Sequence, residues 1–460
     1  MAATEFKPTI SAKIPRPIYA KKPHGQLLKY RHWFGYSLLA IFIAMPFIKV
    51  NGEQFLLFDI LDRKFVVFGT VFWPQDLHIF VFGMLVFMVF IVLFTVVYGR
   101  VWCGWACPQT IFMELIFRKV EYWIEGDANQ QRKLNNGPNT ADKIAKKALK
   151  HIIFLTISFL ISNLFLSYVI GVDQLYQIIT DPITQHLGGL ASIIIFTLMF
   201  YGVFAYVREI VCTTICPYGR LQGVLLDDQS LVVAYNYQRG EPRGHIKKKD
   251  DDQHAESGDC VDCNLCVQVC PTGIDIRDGL QLECVNCTAC IDACDDVMEK
   301  INRPPRLIGF YSSKQIEENT SEKNNARIMA YSVVLVLLLV VFGWLIFSRT
   351  TVGGTLLRAK GTSYQINTDG TVSNLYNLEL INKSGNELPF KLESLDKNFT
   401  IKLVNSRDVL AKDETAQFSF FLISESKNIH DYKTDIKINV VSEGKTVETL
   451  KTTFISPPTD

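Results

Sequence analysis

Cys260-Val-Asp-Cys263-Asn-Leu-Cys266-Val-Gln-Val-Cys270-Pro271, answered after thirteen residues by Cys284-Val-Asn-Cys287-Thr-Ala-Cys290-Ile-Asp-Ala-Cys294, decides the reading of this chain. A 4Fe-4S cube needs thiolates on neighbouring corners. Three cysteines at successive three-residue steps wrap a short loop so that their sulfurs converge, and the fourth thiolate comes from farther away. In two-cluster ferredoxins the last cysteine of each run reaches across to the other cluster. The expected ligand sets are therefore Cys260, Cys263, Cys266 and Cys294 for one cluster, and Cys284, Cys287, Cys290 and Cys270 for the other. Structural zinc also accepts four thiolates, but it rarely needs three cysteines at such steps. Val261, Leu265, Val269, Val285, Ala289 and Ala293 between the ligands keep water from the sulfides. Pro271 fits the bacterial ferredoxin pattern, whereas Asp295 stands where the second run would usually carry proline. With Asp292 and Asp296 it makes an acidic neighbourhood expected to lower the local potential.

Outward from this stretch, 460 residues allow two or three folded units, and a formal charge of +1 points to no nucleic-acid partner. The hydrophobic content of 48% is concentrated in long runs. Five reach about the 20 residues that cross about 30 Å of hydrocarbon: 33–50, 77–98, 152–172, 188–208 and 329–348. Buried core helices would be shorter and amphipathic. No signal-peptide cleavage pattern follows the polar N-terminal arm.

Basic residues set the expected orientation, because short cytoplasmic loops collect them. Lys7, Lys13, Arg16, Lys21, Lys22, Lys29 and Arg31 precede the first run, while only Arg63 and Lys64 follow it. Nine basic residues lie between Arg100 and Lys150 and none in 172–188. The N-terminus and residues 209–328 are thus expected inside, and everything after 349 outside. All twelve cysteines then fall on the inner side or at its membrane edge, where thiols stay reduced for metal and redox work.

The plan that follows is a cytoplasmic arm (1–32), a four-span region (33–211), a cytoplasmic linker (212–252), an α+β ferredoxin-like two-cluster domain (253–310), a linker (311–328), a fifth transmembrane helix (329–348) and an outer domain (349–460). The charged run His245 to Asp252 reads as solvated linker. In the outer domain, alternation in Thr434 to Val440 and around Phe418, Phe420 and Leu422 predicts half-buried strands, with turns at Asp369-Gly370, Asn382 to Asn386 and Ser442 to Gly444. About seven strands in about 100 residues suit an all-β immunoglobulin-like sandwich. It holds no cysteine and one histidine, His430, so docking fits it better than redox chemistry.

A second constellation repeats at the membrane edge: Tyr98-Gly-Arg100-Val-Trp-Cys103-Gly-Trp-Ala-Cys107-Pro108 and Tyr206-Val-Arg208-Glu-Ile-Val-Cys212-Thr-Thr-Ile-Cys216-Pro217. Both motifs follow spans that run in one direction, so Cys103, Cys107, Cys212 and Cys216 emerge on one face. Each proline favours a helix start behind it, which puts Cys107 and Cys216 at N-caps, where backbone amides favour a thiolate. Soft thiolates suit copper(I), zinc or an iron-sulfur centre. The four can bind a metal substrate, hold a third cofactor or act as dithiols. His78, His151 and His186, and Trp33, Trp73, Trp102, Trp105 and Trp123, read as interfacial residues rather than ligands.

Trp102-Cys-Gly-Trp-Ala-Cys-Pro-Gln-Thr110, Phe112-Met-Glu, Glu121-Tyr-Trp-Ile-Glu-Gly-Asp127, Cys216-Pro-Tyr-Gly-Arg-Leu-Gln222 and the paired cluster runs together resemble the FixG/CcoG (RdxA) family of cytochrome oxidase accessory proteins, over essentially the whole chain. The resemblance implies five spans in a bacterial inner membrane, two 4Fe-4S clusters, a periplasmic immunoglobulin-like domain, and reduction of copper(II) to copper(I) for cbb3-type oxidase assembly. It implies copper as substrate, with copper-handling proteins and oxidase subunits as partners; Cys103, Cys107, Cys212 and Cys216 of the repeated motif are then the thiols expected to bind and reduce it. The electron donor stays unnamed. Two other readings stand beside it: an oxidase assembly scaffold, and a quinol-linked donor to a periplasmic reductase.

Overall fold

A computed structural model describes residues 18–245, 258–318 and 325–457, apart from 51, 61–63, 74–75, 349, 351, 360, 362, 384–385, 405–406, 413, 426–430 and 443. The basic residues Lys7, Lys13, Arg16 and Arg63, the run Ile246 to Asp252, and His430 lie outside the described residues. The chain divides into two compact units.

Among the described residues, four helices are long and apolar enough to cross a bilayer: Leu77–Tyr98, Ala141–Val169, Leu187–Val207 and Ile328–Phe347. Phe, Leu, Val and Ile recur around the whole circumference of the last, and 0% of its most apolar window is buried in protein, as a lipid-facing helix requires. The chain is membrane-integrated. The expected first span, 33–50, is not among these four helices. Its helix, α1 (Gln26–Ala44), starts seven residues earlier and includes Lys29 and the buried Arg31. It ends before Pro46 in a tight turn, Met45–Phe47. The apolar part from Trp33 to Ala44 covers about 18 Å at 1.5 Å per residue, well short of the hydrocarbon thickness.

The first unit joins these helices to the cysteine-rich region. Its membrane part is held by aromatic packing: Phe117 stacks on Phe204 at 4.4 Å and meets Phe154 edge-on at 4.8 Å. Ser162 and Thr197 pair at 3.0 Å between two of the spans, satisfying hydroxyls that lipid could not. In the cysteine-rich region a two-stranded antiparallel sheet, β1 (Val232–Tyr235) and β2 (Ile308–Tyr311), covers two short helices that begin at Leu265 and Ala289. Val233, Tyr235, Ile274, Ile276, Ile291, Met298, Leu307 and Ile308 form its core, with cysteines around the margin. This is the α+β two-cluster arrangement expected.

The second unit contains Val341–Asp460 and carries the all-β domain. One sheet runs Phe399–Leu403, Thr415–Glu425, Thr371–Asn382, Val352–Arg358; the other runs Lys391–Ser394, Lys433–Ser442, Lys445–Ile455. Register sets Tyr376 opposite Phe420 and Leu378 opposite Phe418, so the alternate residues of both strands point inward. They meet Ile436, Ile438 and Val440 of the other sheet in one core. Asn374 clamps the sheets by accepting from Ile455 N at 3.0 Å and donating to its carbonyl at 2.8 Å. The expected turn at Asp369-Gly370 is made by Gly370 at φ 78° and by Thr371 N donating to the Asp369 carboxylate.

Candidate redox site

The two C-x2-C-x2-C runs fold alike because the same backbone device recurs in each. Asp262 and Asn286, one residue before the middle cysteine, have φ 51° and 53°; Asn264 and Thr288, one residue after it, have φ 58° and 67°. Asx residues tolerate this left-handed region better than most. Each pair of reversals folds the loop back so that its cysteines face one space, and the short helix then starts at Leu265 or Ala289.

Two cavities result. One is lined by Cys260, Cys263, Cys266 and Cys294; the other by Cys270, Cys284, Cys287 and Cys290, with Cys266 at its edge. Four thiols per cavity and a largely apolar lining fit a 4Fe-4S cube in each. Cys294 thus lines the cavity of the first run and Cys270 that of the second. Cys266 and Cys287 are buried, and Cys263 is exposed, so the first cavity comes closest to the surface.

The acidic residues near Cys294 are each engaged. Asp292 accepts from Leu27 N at 3.1 Å and Leu28 N at 2.8 Å, capping α1. Asp295 accepts from Arg306 N at 2.6 Å, and Asp296 pairs with His24 at 2.7 Å. The expected electronegative patch is thus tied into docking the N-terminal arm. Lys21 N adds a bond to Gln268 O at 2.8 Å.

The four remaining thiols come together beside the second cavity. Cys107 is the N-cap of Pro108–Phe112 and Cys216 the N-cap of Pro217–Leu225, each with proline at the first helical position. Cys103 lies in the short helix Val101–Trp105 and Cys212 in a π-turn, Val211–Ile215. Burial pushes the Cys212 thiol up to about 12, and the sulfurs of Cys107, Cys103 and Cys216 act in the same direction. Burial likewise carries Cys103 to about 11, against the pull of Arg100. Cys103 Sγ donates to Gln222 Oε1 at 2.9 Å, and Thr110 Oγ1 donates to Cys103 O at 2.6 Å. Among the described residues no three His, Cys, Asp or Glu side chains close on a single-ion position. The four thiols are neighbours rather than a finished cage.

Cys103 and Cys212 share one apolar cluster with Cys287, Cys290, Val269, Val285, Ala289 and Ala293. Gly104 makes that closeness possible: a side chain there would strike the backbone carbonyl of Val285. His151 bonds Tyr201 at 2.9 Å and His186 bonds Asp181 at 3.1 Å, partners that suit structural roles.

A buried ion network braces the two repeats. Arg208 forks onto Glu121 at 2.7 and 2.7 Å, Lys150 joins Glu125 at 2.9 Å, and Arg118 pairs with Glu114 at 3.2 Å and with Glu209. Burial works to raise the Glu121 pKa, but Arg208 and Lys150 outweigh it and hold the carboxylate below its usual range. Its contribution to stability is present above the unfolded value of about 4.3 and is lost as pH falls through the lower folded value. Glu121→Gln removes a buried carboxylate that Arg208 and Lys150 share, leaving the partly buried Arg208 with Glu209 at 3.8 Å, and is expected to cost about 1–3 kcal/mol in chemical unfolding. Asp142→Asn, which breaks the exposed pair with Lys146, is expected to cost under about 1 kcal/mol.

Fold and site together define a membrane-integrated iron-sulfur electron-transfer protein. The chain belongs to the FixG/RdxA family. Three family models match it: a 4Fe-4S binding domain over 80–126, a 4Fe-4S dicluster domain over 207–313, and the IG-like fold at the C-terminal of FixG over 342–457. Protein RdxA of Cereibacter sphaeroides is 34% identical over 82% of this chain and 81% of its own length. Nitrogen fixation protein FixG of Rhizobium meliloti is 38% identical over 64% of this chain and 57% of its own. A solved FixG-related protein from Vibrio parahaemolyticus aligns with 23% of this chain and 97% of its own at 16% identity; its TM-score, 0.20, is too low to bear on the fold.

Proposed function

We propose that this chain is a copper(II) reductase, passing single electrons to copper held by Cys103, Cys107, Cys212 and Cys216 and so supplying copper(I) for assembly of a cbb3-type cytochrome c oxidase. The observation that carries the reading is the apolar cluster shared by Cys103 and Cys212 with Cys287 and Cys290. Each copper(II) takes up one electron to become copper(I). Clusters bound in the two four-cysteine cavities supply the one-electron donors this reaction needs. Soft thiolates favour the product over the substrate ion, so the four sulfurs bind the reduced metal more tightly as the reaction proceeds. Val269, Val285, Ala289 and Ala293 exclude water between the two sets of sulfurs.

Orientation follows from charge. The segments after Tyr98 and after Val207 share one side of the four crossing helices, and the basic residues from Arg100 to Lys150 assign that side to the cytoplasm of a bacterial inner membrane. The cysteine-free sandwich after Phe347 then lies in the periplasm, where it suits docking on oxidase subunits or copper-handling proteins. The N-terminal arm lies on the cytoplasmic side through its bonds to Gln268 and Asp292, which requires α1 and the residues after it to carry the chain across to the periplasmic start of Leu77–Tyr98, although α1 is not among the four long apolar helices.

The test uses the purified full-length protein with its clusters chemically reduced under anaerobic conditions. Copper(II) is added with a copper(I)-specific chelator, and stoichiometric chromophore is expected. Chromophore at the rate of a cluster-free preparation would sink the reading.

A further inference from the structure

Arg118 is a buried arginine, 4% exposed, with carboxylate partners. Arg100 is buried as deeply, at 3% exposure, yet among the described residues no carboxylate pairs with it. One Nη donates to the carbonyl of Leu282, two residues before Cys284. The other lies against Gly219, on the helix capped by Cys216, where any added side chain would meet it. Its Nε has no partner. Arg31, 5% exposed, reaches the same junction, where its Nε donates to Gly104 O at 2.8 Å.

A buried unpaired cation is costly, so a fold that keeps one has an anion for it. Arg100 is the N-cap of the short helix that carries Cys103, and its two Nη contacts reach the run of Cys284 and the helix capped by Cys216, so cysteines of both sites stand around it. We propose that Arg100 is the electrostatic bridge of this protein: a fixed positive charge between the second cluster's cysteines and the four-thiol site that raises the potential of the nearer cluster. Each added electron deepens the negative charge of a thiolate-bound centre. A guanidinium held beside it in a low dielectric stabilises the reduced state and keeps the electron next to its acceptor. Arg100 is a positioning residue, acting through charge rather than by touching copper. The inference rests on reading Cys270, Cys284, Cys287 and Cys290 as the ligand set of one cluster.

The test is an EPR-monitored redox titration of the full-length protein in detergent, without copper. Arg100→Gln is expected to move the midpoint of the signal that Cys284→Ser abolishes to more negative potential, leaving the signal tied to Cys260 in place. Arg100→Lys, which keeps the charge, is expected to restore most of the shift. Arg220→Gln, at an exposed arginine on the helix capped by Cys216, is expected to change neither midpoint. An unmoved midpoint in an iron-replete Arg100→Gln protein, an equal shift of both signals, or an equal shift in Arg220→Gln overturns the proposal. Should Arg100→Gln lose iron, Arg31→Gln probes the same junction from the other side, with the same expected shift and the same contrary result. Because midpoints are read without copper, a wild-type protein that fails to make copper(I) would defeat the reductase reading and leave this one standing.

Discussion

Cys294→Ser is expected to abolish the same EPR signal, and about the same half of the bound iron, as Cys260→Ser; Cys270→Ser is expected to match Cys284→Ser instead. Adjacency in sequence says the opposite, since Cys270 closes the first run and Cys294 the second. The cavities decide the matter: Cys294 lines the one with Cys260, Cys263 and Cys266, and Cys270 lines the one with Cys284, Cys287 and Cys290. Loss of one of four thiolates strips a cluster or leaves a labile three-iron remnant, so the effect on iron content and spectrum is large. Pairing by run, Cys270 with Cys260 and Cys294 with Cys284, would contradict the geometry.

The second large effect is on copper. Replacing Cys103 and Cys212 together with serine is expected to lower copper(I) production by more than about 100-fold, since even the outer partners of metal ligands are worth 10- to 100-fold. Iron content and both cluster signals should stay close to wild type, because neither residue lines a four-cysteine cavity. Cys107→Ser with Cys216→Ser should act in the same direction from the helix N-caps. An unchanged rate would remove the four thiols from the reaction.

Much of this was legible in the residues. The spacing shows that each loop offers three sulfurs to one cube, and the two-cluster ferredoxin pattern leads to the expectation that Cys270 and Cys294 are exchanged. Alternation around Phe418 and Ile438 predicted sheet faces, and proline predicted the two cysteine N-caps. What could not be read were relations between distant segments. The 33–50 run looked long enough to span, but the helix boundary moved to Gln26 when Asp292, some 265 residues away, supplied its N-terminal acceptor. The same contact gives an acid beside Cys294 a structural task, holding a helix end. The left-handed residues at Asp262, Asn264, Asn286 and Thr288 did leave a signal, in polar residues at matching places of the two runs. Arg100 left a fainter one, as the counterpart of Arg208 in the C-x3-C-P repeat. Only the fold reveals that Arg208 finds a carboxylate while Arg100 finds the Leu282 carbonyl.

The central claim, that electrons stored in the cysteine-rich domain leave it for copper, is tested most directly by anaerobic EPR during stepwise addition of copper(II) to the fully reduced protein. Loss of the reduced-cluster signals one electron per copper, with no copper(II) signal until the clusters are exhausted, is the predicted result. A copper(II) signal that grows from the first addition while the clusters stay reduced would contradict it.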